Sequence, residues 1–195
     1  MVEVAALALA AGAARRYRES GGAEATKLVA AWRGKPLVRH AVEAALASRA
    51  RPVIVVTGHA DSEVRAALAG LDVTFVHNAD FARGLSTSLA TGLAATPARC
   101  DGALVLLADM PEVRADILDQ LIASFAAHPQ AAAVVPTHQG ARGNPALLGR
   151  ALFEKAQHLQ GDRGARALIE AAGEAVIEMC VSEPSVRLDL DTVEA

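Results

Sequence analysis

Apolar runs of strand length alternate along this chain with segments in which apolar residues return at helical spacing. Val4 to Ala11 is eight apolar residues in a row, the length and evenness of a strand buried on both faces. Pro36 opens a helix in which Leu37, Val38, Ala41, Val42, Ala45 and Leu46 recur on one side. Further strands are expected at Val53 to Val56, Val73 to Val76, Ala103 to Leu107 and Ala132 to Val135. Helices are expected between them at Asp61 to Leu68, with Asp61 as N-cap, at Ser86 to Ala95 and at Ile117 to Ala127. The pattern loosens through Thr137 to Pro145. Helical segments near Leu147 to His158 and Gly164 to Ala172 then precede strands at Ala175 to Val181 and Val186 to Leu190. Such alternation predicts an α/β fold of three layers, Rossmann-like, with a mostly parallel central sheet and helices on both faces.

A chain of 195 residues is long enough for one well-buried domain. Hydrophobic content of 52% and charged content of 21% exclude bulk disorder. The net charge of −3, with arginines spread along the chain, leaves no nucleic-acid footprint. Cys100 and Cys180 stand alone, so neither a disulfide framework nor a zinc site is indicated, and both read as small buried residues. Glu3 sits where a signal peptide would carry positive charge, and no apolar run has the length of a membrane span. These features point to a cytoplasmic protein without a membrane partner.

Open α/β sheets bind ligands beyond the carboxyl ends of their strands, which sorts the polar residues. The first strand runs straight into Ala10, Ala11, Gly12, Ala13 and Ala14, small residues that let main-chain N–H groups approach phosphate oxygens. Arg15, Arg16 and Lys27 follow, Lys27 being one of three lysines. His77 and Asn78 end another strand, ahead of Arg83-Gly84-Leu85-Ser86-Thr87-Ser88 at a helix start, where free N–H groups and hydroxyls could grip a base or phosphate. Asp109 follows the run Leu104 to Ala108. A carboxylate there is costly without a metal ion, a cation or backbone donors beside it. Each position also has a plain reading: Asp109 bonding its own turn, Ser86, Ser88 and Asp162 as helix caps, Lys27 as a surface lysine.

Leu9 to Gly12, the pair Arg16 and Lys27, Asn78 to Leu89, Leu107 to Pro111, Arg142 to Pro145, Leu159 to Arg166 and Asp189 to Thr192 resemble, in order, successive blocks of the molybdenum cofactor cytidylyltransferases. This branch lies in the molybdopterin nucleotidyltransferase-like (MobA-like NTP transferase) superfamily. The resemblance implies a nucleotidyltransferase fold and transfer of CMP from CTP to the terminal phosphate of molybdenum-bearing molybdopterin. Pyrophosphate is released and molybdopterin cytosine dinucleotide formed. It implies Arg16, Lys27 and Asp109 as catalytic residues and Mg²⁺ held by Asp109 and Asp191. Leu9, Ala10, Ala11, Gly12, Lys27, Asn78, Gly84, Leu85, Ser86 and Ser88 would bind the nucleotide. Arg142, Gly143, Asn144, Asp162 and Arg166 would bind the cofactor substrate. The nucleotide portion would run over about residues 1–111 and the substrate portion over about 112–195, with a molybdenum hydroxylase apoenzyme as recipient of the product.

The chain departs from that family in its first loop. Ten residues, Tyr17 to Thr26, separate Arg16 from Lys27 where the family has only a few, and Ala14 replaces a usual serine. Other functions therefore stay open. One is an NAD(P)H-dependent reductase, since relatives of the branch reduce a nicotine-derived pigment, although no Gly-x-Gly-x-x-Gly fingerprint follows the first strand. Another is a carrier that shelters the cofactor without catalysis, and a third a nucleotidyltransferase acting on another phosphate.

Overall fold

The computed structural model describes residues 2–12 and 24–188. Its strands are β1 (Val4–Ala10), β2 (Ala31–Trp32), β3 (Lys35–Pro36), β4 (Val53–Thr57), β5 (Thr74–His77), β6 (Gly102–Leu107), β7 (Ala133–His138), β8 (Ala141–Arg142), β9 (Ala146–Gly149) and β10 (Val176–Cys180). Its helices are α1 (Leu37–Ala47), α2 (Asp61–Ala67), α3 (Leu85–Ala95), α4 (Ala115–Ala127), α5 (Phe153–Ala156) and α6 (Ala165–Ala172). The main sheet has the order β10-β7-β9-β6-β1-β4-β5, with β8 paired to β7, while β2 and β3 form a separate small hairpin. Four pairings are parallel, β1 with β4 and with β6, β4 with β5, and β7 with β10. The α/β architecture with a mostly parallel central sheet is therefore as the sequence predicts.

The two-residue period of a strand divides the core. Ala6, Ala8 and Ala10 of β1 join one apolar cluster with Leu37, Val38 and Val42 of α1 and Ile117, Leu118 and Leu121 of α4. Leu7 and Leu9 join the other, with Leu89 and Leu93 of α3, Phe153 of α5 and Leu168 of α6. Three layers result. Helix α3 lies close to the sheet because Gly92 leaves a notch: a Cβ there would fall 2.9 Å from Val56 Cγ2. Leu7 is fully buried, a burial worth about 1.5–3 kcal/mol per side chain of this kind.

Two elements differ from the sequence reading. Leu147 to Gly149, expected to begin a helix, belong instead to β9 (Ala146–Gly149), which is antiparallel to both β6 and β7. All four residues are buried, and a short run apolar on every side cannot be assigned by periodicity. The helix that follows is correspondingly short. Val186, expected in a strand, lies in a 3₁₀ turn at Pro184–Arg187 with proline in its first positions. Asp61 is not the N-cap of α2; Ala60 holds that position with φ 55°. The Asp61 carboxylate instead accepts from Arg65 Nε at 2.9 Å and from the Thr57 hydroxyl. Cys100 is buried as expected and Cys180 is exposed. Among the described residues no helix is long and apolar enough to cross a membrane.

Candidate active site

At the carboxyl end of β1 the chain turns through Ala11 and Gly12 beside the end of β6, where Ala108 N donates to Leu9 O at 3.3 Å. Asp109 follows directly. Its partner arrives from a short 3₁₀ turn, Lys27–Val29, capped by the fully buried Thr26, whose hydroxyl accepts from Leu28 N at 3.4 Å. Leu28 is buried and anchors this turn. His59 Nε2 donates to the Ala25 carbonyl at 3.1 Å, which ties down the segment leading into it. Lys27 Nζ consequently lies 2.7 Å from Asp109 Oδ2, with the two side chains 13% and 21% exposed. The cation that a carboxylate at this strand end requires is thus Lys27.

The pair opens on a cavity of about 500 Å³. Leu9, Ala11 and Gly12 form one wall; Gly84, Leu85 and Ser88 at the start of α3 form another; Asp162 completes the rim. The last two segments interlock through glycines. Gly84 has φ 111°, and a Cβ on it would fall 2.4 Å from the Gly161 carbonyl carbon. Ser86 N donates to Gly161 O at 3.1 Å, and a Cβ on Gly164 would fall 2.7 Å from Leu85 Cδ2. The block Gly161 to Gly164 is therefore seated on the start of α3 by backbone contact.

Residues singled out in the sequence separate into groups. Leu9, Ala11, Gly12, Lys27, Gly84, Leu85, Ser88, Asp109 and Asp162 line the large cavity. Ala10, Asn78 and Ser86 are buried outside its lining. Asn78 works as a brace: its Nδ2 donates to Thr87 Oγ1 at 2.9 Å and Ser88 Oγ at 3.0 Å, while its Oδ1 accepts from Asp80 N at 3.0 Å. Arg142, Gly143 and Asn144 line a second cavity of about 170 Å³, which shares Leu107 with the first and includes Met110, Val186 and Arg187. Arg166 is exposed on α6 and bonds Glu170 at 2.9 Å, in the lining of neither cavity. Arg16 and Asp191, with Arg15 and Asp189, lie outside the described residues.

Thr26, Phe81 and Arg83 also line the large cavity. Thr26 carried a signal, a threonine directly before an isolated lysine, as an N-cap would stand. Near the ends of β4 and β5, Arg65 and then Thr57 bond the Asp61 carboxyl and hold it below the usual carboxylate range. This cluster braces the sheet end rather than the cavity.

Among the described residues no three His, Cys, Asp or Glu side chains gather as a metal centre. Of the described residues, the carboxylates at the large cavity are Asp109 and Asp162. Hard oxygen donors of this kind suit a divalent cation that also takes ligands from substrate phosphates and water.

The MobA-like NTP transferase domain matches residues 6–176. Nicotine blue oxidoreductase of Paenarthrobacter nicotinovorans is 28% identical over 197 residues, covering 98% of this chain and 93% of that protein. The bifunctional protein GlmU of Alcanivorax borkumensis is 31% identical over 123 residues, 63% of this chain, which spans only 26% of that relative's length. Among solved structures, Rv0371c from Mycobacterium tuberculosis H37Rv superposes with a TM-score of 0.83 at 26% identity, over 98% of this chain and 94% of that one. The same protein is also known as a complex with manganese.

Proposed function

The chain belongs to the MobA-like NTP transferase family, and from that footing we propose that it is a cytidylyltransferase of molybdenum cofactor assembly. It transfers CMP from CTP to the terminal phosphate of molybdenum-bearing molybdopterin. The observation that carries this reading is the Lys27–Asp109 pair, 2.7 Å apart, at a cavity walled by the Leu9 to Gly12 turn and the start of α3.

An oxygen of the acceptor phosphate attacks the α-phosphorus of CTP, and the bond from that phosphorus to the bridging oxygen breaks. The electron pair leaves with pyrophosphate. A phosphate monoester is already anionic at neutral pH, so the reaction needs alignment and charge neutralisation more than a general base. Lys27 supplies a preorganised positive charge beside the triphosphate. Small residues at Ala11 and Gly12 let backbone N–H groups face its phosphates, and Ser88 and Gly84 stand on the opposite wall. Asp109 would hold a divalent cation, which when bound neutralises phosphate charge. The manganese complex of Rv0371c supports such an ion. Arg142, Gly143 and Asn144 line the neighbouring cavity, where the acceptor belongs in this reading. The choice of CTP over other nucleotides, and of Mg²⁺ as the ion, rests on family resemblance.

The full-length similarity to nicotine blue oxidoreductase supports a second reading, an NAD(P)H-dependent reductase. One assay separates the two: the protein is mixed with Mg²⁺, molybdopterin and CTP, GTP or ATP in turn, and pyrophosphate and the dinucleotide product are measured. CTP-dependent product, reduced about 10²–10³-fold in Asp109→Asn as for loss of a site that stabilises developing charge, is expected. Absence of pyrophosphate release, together with NADPH oxidation in a parallel reaction supplied with an oxidised pigment as hydride acceptor, would move the reductase to first place.

A further inference from the structure

The smaller cavity holds a charge outside every sequence block. Arg142, which the sequence nominates for the acceptor, is already committed: its Nε donates to Glu178 Oε1 at 2.8 Å, linking β8 to β10. Arg187 lines the same cavity, and among the described residues no carboxylate pairs with it. Its guanidinium stands on a clamped base. Asn144 N donates to Val186 O at 2.7 Å, Gly143 N to Pro136 O at 2.8 Å, and the Val186 side chain is fully buried. The contact tolerates no side chain at Gly143, where a Cβ would fall 2.3 Å from Val186 O. The glycine of Arg142-Gly143-Asn144 is therefore what lets the turn bearing Arg187 close onto this segment.

We propose that Arg187 is the residue that binds the acceptor's phosphate monoester, while Arg142 holds the cavity wall. The planar guanidinium fork offers two parallel N–H donors to phosphate oxygens, a geometry an ammonium lacks. The cavity abuts the nucleotide cavity through Leu107, and Met110 in its wall directly follows Asp109. A phosphate bound at Arg187 is thus on the side of β6 from which it can reach a nucleotide beside Asp109. This assignment rests on the nucleotidyl-transfer reading of the larger cavity.

Steady-state kinetics on the full chain test it. In Arg187→Gln the KM for the acceptor rises about 10- to 100-fold, the loss expected for a charge-assisted ion contact. The KM for CTP stays near the wild-type value, and Arg187→Lys recovers part of the acceptor affinity. The effect of Arg142→Gln on acceptor KM is the smaller of the two. An unchanged acceptor KM in Arg187→Gln, or the reverse order of the two variants, overturns the assignment. If the wild type forms no product with CTP and molybdopterin, the transfer reading is what has failed. Calorimetric titration with inorganic phosphate then decides the subsite: weaker binding to Arg187→Gln than to wild type supports it, and equal binding overturns it.

Discussion

Lys27 and Asp109 neutralise each other across 2.7 Å, so a divalent cation reaching Asp109 meets a positive charge already in place. Two unit charges 4 Å apart at an effective dielectric near 20 interact by about 4 kcal/mol. Removing the lysine therefore favours the ion even if only a third of that energy is felt. Lys27→Met is expected to bind Mn²⁺ alone roughly tenfold more tightly, a change of ~1.4 kcal/mol, while losing transfer activity. Electron paramagnetic resonance titration without nucleotide measures the first effect, and unchanged Mn²⁺ affinity would count against Asp109 as the ligand. Both residues were legible in the sequence, the acid because it ends a buried apolar run and the lysine because lysine is scarce. Their contact was not legible, since it depends on how the Thr26 cap and Leu28 anchor fold the returning segment onto β6. Phe81 and Arg83 fall within the block from Asn78 to Leu89, but nothing in the sequence says that they line the cavity.

The periodic elements were readable where burial is one-sided or complete over a long enough run. β1, β4 and β6 announced themselves as unbroken apolar stretches, and α1 and α4 as stripes. β9 was not readable, because its four residues are apolar in every direction and only its place between β6 and β7 makes it a strand. The seat of the Gly161 block on α3 was equally hidden, since glycine spacing carries no record of what the missing Cβ would have touched. Gly84→Ala combines a backbone at φ 111° with a 2.4 Å clash against Gly161. It should cost about 1–3 kcal/mol for the strained backbone alone, lowering the melting temperature by several degrees at roughly 2–4 °C per kcal/mol for this size. Gly12→Ala is the matched comparison, because a Cβ there meets nothing within 4 Å. Thermal unfolding followed by circular dichroism should show a clear drop for the first and little change for the second. Equal melting temperatures would mean that the α3 contact contributes nothing to stability.

At the largest scale, the main sheet has two apolar faces that draw on helices from both halves of the described chain, and we expect the protein to unfold in a single transition. Its acid limit follows from carboxylates held below their usual range, Asp61 by Arg65 and Thr57, Glu43 by Lys35 and Arg39, and Asp116 by Arg114. A depressed carboxylate binds its proton more readily in the unfolded chain. Its contribution is therefore fully present above the unfolded values, about 3.9 for Asp and 4.3 for Glu. That contribution is lost as pH falls through the lower folded values. Urea unfolding should give a plateau of stability from neutral pH down to about 5, then a fall below about 4, and a profile flat through pH 3 would contradict these ion pairs.

The interlock of Gly84 with Gly161 also sets when the molecule becomes competent. A chain emerging from the ribosome carries Leu9, Lys27, Gly84 and Asp109 well before Gly161 and Asp162, so the rim of the large cavity is the last part of it to be delivered. A product truncated before Gly161 lacks both Asp162 and the backbone on which the start of α3 is seated, so a complete seat for a ligand depends on residues delivered late.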